Sequence, residues 1–359
     1  MDARLESDLV EVPFIAEGGF AGPARFRLGA RGRGWAAPYS RPPWTPEETG
    51  DAPPVLRWLR GDFFGFPFGA TEGHPHMHGE TANREWTIRE HSPLALKADM
   101  ALEHPPGSVT KRIALRPGHR ALYFEHRVRD VAGRYNYGHH PILQIPENTV
   151  CPVRASPFRF ASTYPGAFAD PEIGERQALR PDARFERLDR VPLDDGGFAS
   201  VAEFPVREDA EDLVMITPED DGDHLGWTAI TFPGFVWIAL RDPRQFPSTL
   251  LWMSHGGRPQ PPWNGRHRRR IGVEDVCSHF HDGAHISARE PLRDDGIPTS
   301  RDFGAGAPAD LRHIQFVHPV DGQPGLAALE PIEGGAARLT FEDGQVAEAP
   351  VAVDWVRGA

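Results

Sequence analysis

Short runs in which apolar and polar residues alternate recur along this chain. The clearest is Ala121 to Asp130, where Leu122, Phe124, His126 and Val128 alternate with Tyr123, Glu125, Arg127 and Arg129. A period of two marks a half-buried strand. The same reading predicts strands at Glu85 to Arg89, Arg112 to Leu115, Ser200 to Val206, Leu213 to Thr217 and Trp227 to Thr231. It continues with Phe235 to Leu240, Thr249 to Met253, Ile314 to His318, Arg338 to Phe341 and Val351 to Trp355. Turn dipeptides separate many of them: Pro117-Gly118, Asp195-Gly196, Asp221-Gly222, Pro233-Gly234, Glu333-Gly334 and Asp343-Gly344. No amphipathic helix longer than three turns is found, and no internal repeat of the kind that builds propellers. The pattern predicts an all-β chain built as a large antiparallel sandwich.

Composition agrees. The 359 residues include 37 Gly and 37 Pro, which break helix interiors and serve turns. Residues 1–55, rich in Gly, Pro and Arg, read as an extended arm with weak strands at most, packed on a single domain over 56–359. The formal charge of −12 has the wrong sign for nucleic acid or an anionic membrane. Two cysteines, Cys151 and Cys277, lack the spacing of a zinc site. The first residues lack the pattern of a signal peptide, and no apolar run reaches the roughly 18 residues of a membrane span. The expectation is a cytoplasmic protein, monomeric or homodimeric, without a nucleic-acid or membrane partner.

Of the seventeen histidines, eight gather in three places: His74-Pro75-His76-Met77-His78-Gly79-Glu80, Gly138-His139-His140-Pro141, and His279-Phe280-His281-Asp282-Gly283-Ala284-His285 just after Gly272-Val273-Glu274-Asp275. Three readings compete. In a regular extended segment His74, His76 and His78 share a face and would bind a metal with Glu80, although Pro75 interrupts such a ladder. Alternatively these are strand-end histidines, hydrogen-bonded or solvated. In the third reading, one histidine from each of the first two clusters and a carboxylate near the third form an acid–base site.

The third arrangement carries a family resemblance. Leu59-Arg60-Gly61-Asp62-Phe63-Phe64-Gly65-Phe66-Pro67-Phe68-Gly69 and His78-Gly79-Glu80-Thr81-Ala82-Asn83-Arg84-Glu85-Trp86 resemble two segments of the hexose-6-phosphate mutarotases. His139-His140-Pro141-Ile142-Leu143 and Gly272-Val273-Glu274 resemble segments of the wider aldose 1-epimerase, or galactose mutarotase-like, family. The motifs stand in the family's order and cover roughly residues 59 to 290.

The resemblance implies a β-supersandwich and a cofactor-independent isomerase acting on a small-molecule sugar. A base would take the anomeric proton while an acid protonates the ring oxygen, each within about 3 Å of its atom. It implies Glu274 as base, His140 as acid, His78 as a hydrogen-bond partner of the sugar, and Arg60 and Asn83 in the sugar pocket, with no metal or cofactor. His139 rivals His140, since adjacent strand residues face opposite ways. The loop from Trp252 to His267 is dense in binding residue types and adds His255 and Trp263 as sugar contacts. Two departures stand out. Ala82 occupies the position of the phosphate-branch arginine, which argues against a phosphosugar. The family's hydroxyl-gripping aspartate has no clear counterpart, Asp212 lying in the interval without its flanking signature. A non-catalytic carbohydrate-binding protein on the same fold and a metal-dependent β-sandwich enzyme are the rival functions.

Overall fold

The structure is a computed structural model and describes residues 2–29, 34–71, 75–219, 224–304 and 307–358. Strands hold 44% of the chain and helices 8%, so the all-β expectation holds. Two large antiparallel sheets dominate. The nine-stranded sheet has Phe235–Arg241, Ala309–Pro319 and Ala121–Arg129 as adjacent central strands. The eight-stranded sheet runs through Phe158–Thr163, Glu211–Pro218, Ser248–Ser254, Arg270–Cys277, Tyr137–His139 and Phe64–Gly65. The dipeptide Pro233-Gly234 closes the hairpin between Gly226–Phe232 and Phe235–Arg241, with Gly234 at φ +88°.

Pleating gives each strand of the eight-stranded sheet two different faces, both buried. Val214, Ile216, Leu251, Met253, Ile271 and Val273 pack into the main core, together with Leu122, Phe124, Val128 and Trp237 of the nine-stranded sheet. Their neighbours Leu213, Met215, Leu250, Trp252 and Val276 belong to a separate cluster on the other side, with Phe63, Phe68, Trp263 and Phe280. A cavity lined by Trp252 and Trp263 lies on that second side. A third cluster forms where the hairpin strands Leu326–Pro331, Ala337–Phe341 and Val346–Ala349 cover the far side of the nine-stranded sheet. It buries Ala121 and Tyr123, so the strand expected to be half-buried is buried on both faces over its first four residues.

Several expectations need correction. The 1–55 segment is more than an extended arm. Ala3–Glu6, Val10–Ile15, Phe20–Ala21, Arg25–Arg27 and Trp35–Ala36 form a five-stranded sheet. Val10, Val12 and Phe14 enter the main core. Alternation is clean in Val10–Ile15, but the surrounding Gly, Pro and Arg mask it. Val351 to Trp355 is not a strand: Val353–Arg357 is a 3₁₀ turn that buries Val353 and Val356, because Val353 N–H bonds the Gly335 carbonyl instead of a strand partner. Within Ser200 to Val206 only Glu203–Phe204 pairs. The sequence reading also missed Ala95–Glu103 and Arg270–Cys277. No helix among the described residues is long and apolar enough to cross a membrane.

Candidate active site

A cavity of about 240 Å³ is lined by Trp252 of the strand Ser248–Ser254, by His140 just after the strand Tyr137–His139, and by residues of the surrounding loops. Its polar floor is made by His78, His140 and His281. Each is placed by identifiable local chemistry. His140 leaves the strand Tyr137–His139 with its N–H shared between the Phe63 carbonyl at 2.9 Å and Asp62 Oδ1 at 3.0 Å. Pro141 keeps it extended. His78 has φ +58° and precedes Gly79 at φ +75°. A Cβ on Gly79 would lie 2.0 Å from the Phe66 carbonyl oxygen, so only glycine lets the His78 loop close onto Phe66. Gly69 N–H donates to His78 Nδ1 at 3.2 Å. In the neutral ring the proton then sits on Nε2, and His78 is a hydrogen-bond donor.

Glu274 lies beneath the histidines. It is fully buried, its Oε1 is 3.1 Å from His140 Nε2, and His281 Nε2 donates to its Oε2 at 2.5 Å. Oε1 has no hydrogen-bond partner in acceptable geometry. Gly272, on the same strand face, leaves the room this side chain needs, since a Cβ there would meet Oε1 at 2.6 Å. The rings of His78 and His140 are 5.1 Å apart, and those of His78 and His281 5.3 Å. Burial pushes the Glu274 carboxyl up from its usual range, with His281 opposing. Burial pushes His140 and His78 well below the usual histidine range. Burial thus disfavours the charged form of both Glu274 and His140.

The pleat also settles which neighbour faces where. His139 and Asp275 point the opposite way from His140 and Glu274, into the core between the sheets. There His139 Nδ1 bonds Asp62 Oδ2 at 2.8 Å and its ring stacks on His313 at 4.4 Å. Asp275 accepts from His313 Nε2 at 2.7 Å and pairs with Arg241 at 3.0 Å. Asp62 thus holds both the His139 ring and the His140 backbone, and joins this inner network to the cavity floor.

Above the histidines the lining is aromatic and aliphatic: Trp252, Trp263, Phe168, Val55, Leu56 and Leu59. The two indoles meet edge to face at 6.0 Å. Trp252 Nε1 donates to Glu211 Oε2 at 3.1 Å, and the guanidinium of Arg258 stands 4.9 Å from the Trp263 ring. Burial pushes Glu211 up to about 7.

The sequence matches no family model and no curated protein. Solved structures do match. A galactose mutarotase-related enzyme from Lactobacillus acidophilus superimposes with TM-score 0.57 and 12% identity over 90% of this chain and 99% of its own. A galactose mutarotase-like protein from Lactobacillus casei gives 0.56 and 12%, over 89% and 100%. A protein proposed to be an aldose 1-epimerase, from Escherichia coli K12, gives 0.57 and 14%, over 89% and 99%. The fold is galactose mutarotase-like.

On this galactose mutarotase-like frame the expected residues separate into two groups. Glu274, His140, His78 and Trp263 meet at the cavity. Arg60, Asn83 and His255 do not line it. Arg60 folds back so that its Nε donates to the Trp58 carbonyl at 3.0 Å. Asn83 is a clamp: it accepts from Val55 N–H at 2.9 Å and donates to the Met77 and Gly79 carbonyls at 2.6 and 2.7 Å, which fixes the His78 loop. His255 faces a different surface pocket with Arg269 and accepts from its N–H at 3.2 Å. Asp212 is absorbed by the Ala178 and Leu179 amides at 3.0 and 2.8 Å. His74 lies outside the described residues; His78, from the same cluster, enters the cavity.

Sequence reasoning missed His281, Asp62, Phe168 and Arg258. His281 carried a signal, standing seven residues after Glu274 in the third histidine cluster. Phe168 carried none. One ligand atom each from His140, Glu274 and His281 lies within 4.8 Å of the others, a set able to hold a divalent transition metal.

Proposed function

We propose that this protein is an aldose 1-epimerase-like isomerase that interconverts the anomers of a cyclic hemiacetal by acid–base ring opening. The observation that carries the reading is the 3.1 Å approach of His140 Nε2 to the partnerless Oε1 of Glu274 at the floor of an aromatic-walled cavity. Glu274 serves as the proton sink for the anomeric hydroxyl. Because the carboxylate has no surface of its own, the proton reaches it through the His281 ring, which borders the cavity and donates to Oε2. His140 Nε2–H protonates the ring oxygen while Glu274, which gains the anomeric proton, returns one to Nε2 across the 3.1 Å from Oε1. His78, protonated on Nε2, donates to a substrate oxygen. The opened aldehyde rotates, and the reverse transfers close it on the other face. The test is anomer exchange followed by NMR: exchange abolished by Glu274→Gln supports the reading, and a wild type that binds hemiacetals without exchanging them makes it a binding protein.

A metal-dependent reading has one observation in its favour, the convergence of His140, Glu274 and His281. The groups around these ligands fit a metal poorly. A metal-bound histidine ordinarily donates its other N–H to a carboxylate or carbonyl, whereas His140 Nδ1 is buried without a partner. Metal analysis of the purified protein separates the two.

A further inference from the structure

We infer that the substrate is a hemiacetal with an apolar body rather than a free polyhydroxylated hexose; this rests on the acid–base reading of the site. The observation is the chemistry of the cavity wall. Among its described lining residues there is no Asp, Asn, Gln, Ser or Thr, the side chains that ordinarily pair with hydroxyls. Asp212, the carboxylate considered for the family's sugar-gripping residue, spends an oxygen on two loop amides. Asn83 has both ends of its amide engaged within the fold.

The remaining polar groups are few. His140 and His281 are committed to the reacting oxygens. The Tyr164 hydroxyl at the cavity edge donates to Asp282 Oδ1 at 2.6 Å and has no proton left to give. Among the described side chains that leaves His78 Nε2, the Trp263 indole N–H and Arg258, and Arg258 is shared with Glu175 at 3.4 Å and stands against the rings of Trp252, Trp263 and Phe168. A free aldohexose brings four hydroxyls besides the anomeric one. Those turned inward meet Val55, Leu56, Leu59 and the two indoles, and lose water without gaining a partner. An aryl or alkyl substituent in the same place gains contact with these walls instead. Apolar pockets discriminate against an added hydroxyl by up to roughly 10²-fold.

The experiment compares 2-hydroxy-6-phenyltetrahydropyran with D-glucose and D-galactose. Exchange is measured by NMR, and binding by quenching of tryptophan fluorescence. The expected result is a kcat/KM for the phenyl lactol at least about tenfold above either hexose. Phe168→Ala, a truncation of a half-buried side chain, should narrow that ratio by slowing the lactol more than either hexose. A hexose exchanged as well as the lactol, or better, overturns the inference. If nothing is exchanged, the acid–base reading fails and binding decides the substrate class. Lactol binding at least about tenfold tighter than hexose binding upholds it, and equal, weaker or absent lactol binding overturns it.

Discussion

His281 Nε2 donates to Glu274 Oε2 at 2.5 Å, and its ring borders the cavity while the carboxylate is sealed beneath it. The pair forms a route for a proton between a solvated edge and a desolvated base. Desolvation raises the carboxyl, and the histidine lowers it. These opposing effects give the site a pH dependence that mutation can move.

Glu274→Gln keeps the size of the side chain and removes the basic carboxylate. General acid–base catalysis typically contributes ~10² to 10⁴-fold, so the anomer exchange rate should fall by at least ~100-fold. Binding measured by fluorescence quenching should change by less than about threefold, because Glu274 has no exposed surface and ligands touch the histidines above it. His140→Asn should lose rate to a similar extent. Full activity in Glu274→Gln would remove this residue from the mechanism.

His281→Leu removes the ring and the hydrogen bond that hold the Glu274 carboxyl down. A carboxyl raised further ionises at higher pH. The kcat/KM plateau should fall in both His281→Leu and His281→Gln, since neither side chain relays a proton, and the acid limb of the residual activity should move to higher pH in His281→Leu, and by less in His281→Gln, which keeps a donor. The profile of kcat/KM against pH from 4 to 9 checks this; an unshifted limb with an undiminished plateau would make His281 a mere wall of the cavity.

Asn83→Ala should act on the His78 loop without touching ligand. It leaves the Met77 and Gly79 carbonyls and the Val55 amide without their partner, at a cost of about 1–3 kcal/mol for an unsatisfied buried group. Chemical denaturation should show that loss. KM should rise with it, since His78 is no longer held in its left-handed conformation.

His126→Leu should stabilise the protein, most of all in mild acid. Both ring nitrogens of His126 are buried without partners, and the ring stacks on Phe64 at 3.9 Å. Burial and the neighbouring cations hold its pKa well below 6.5. As pH falls through the unfolded value near 6.5, the unfolded chain takes up a proton that the folded chain refuses, so stability drops. Leucine removes that proton uptake. The gain in denaturation free energy should be at least about 1 kcal/mol and larger at pH 5 than at pH 8; a loss at both would show that His126 has polar partners.

The sequence by itself determined the class of fold, because period-two alternation and Pro/Gly turns are local properties that sterics enforce within a few residues. It also determined that Glu274, His140 and His78 belong together, because the motifs bearing them stand in a recognisable order. It did not reveal the strand that carries Glu274. Arg270–Cys277 places two adjacent carboxylates in buried positions, a pattern that local reading takes for a solvated loop. Only the tertiary structure decided that Asp275 faces the core, where Arg241, His313 and Thr249 compensate it, while Glu274 faces the cavity. The same holds for His139 and His140: the pleat sends one each way, but which face becomes the site depends on what packs against the sheet. Arg60, Asn83 and His255 have the residue types of a binding site, yet their partners are backbone groups of their own fold. Hydrogen-bond partners are set by distances between segments far apart in the chain, and those distances exist only once the sheets have closed.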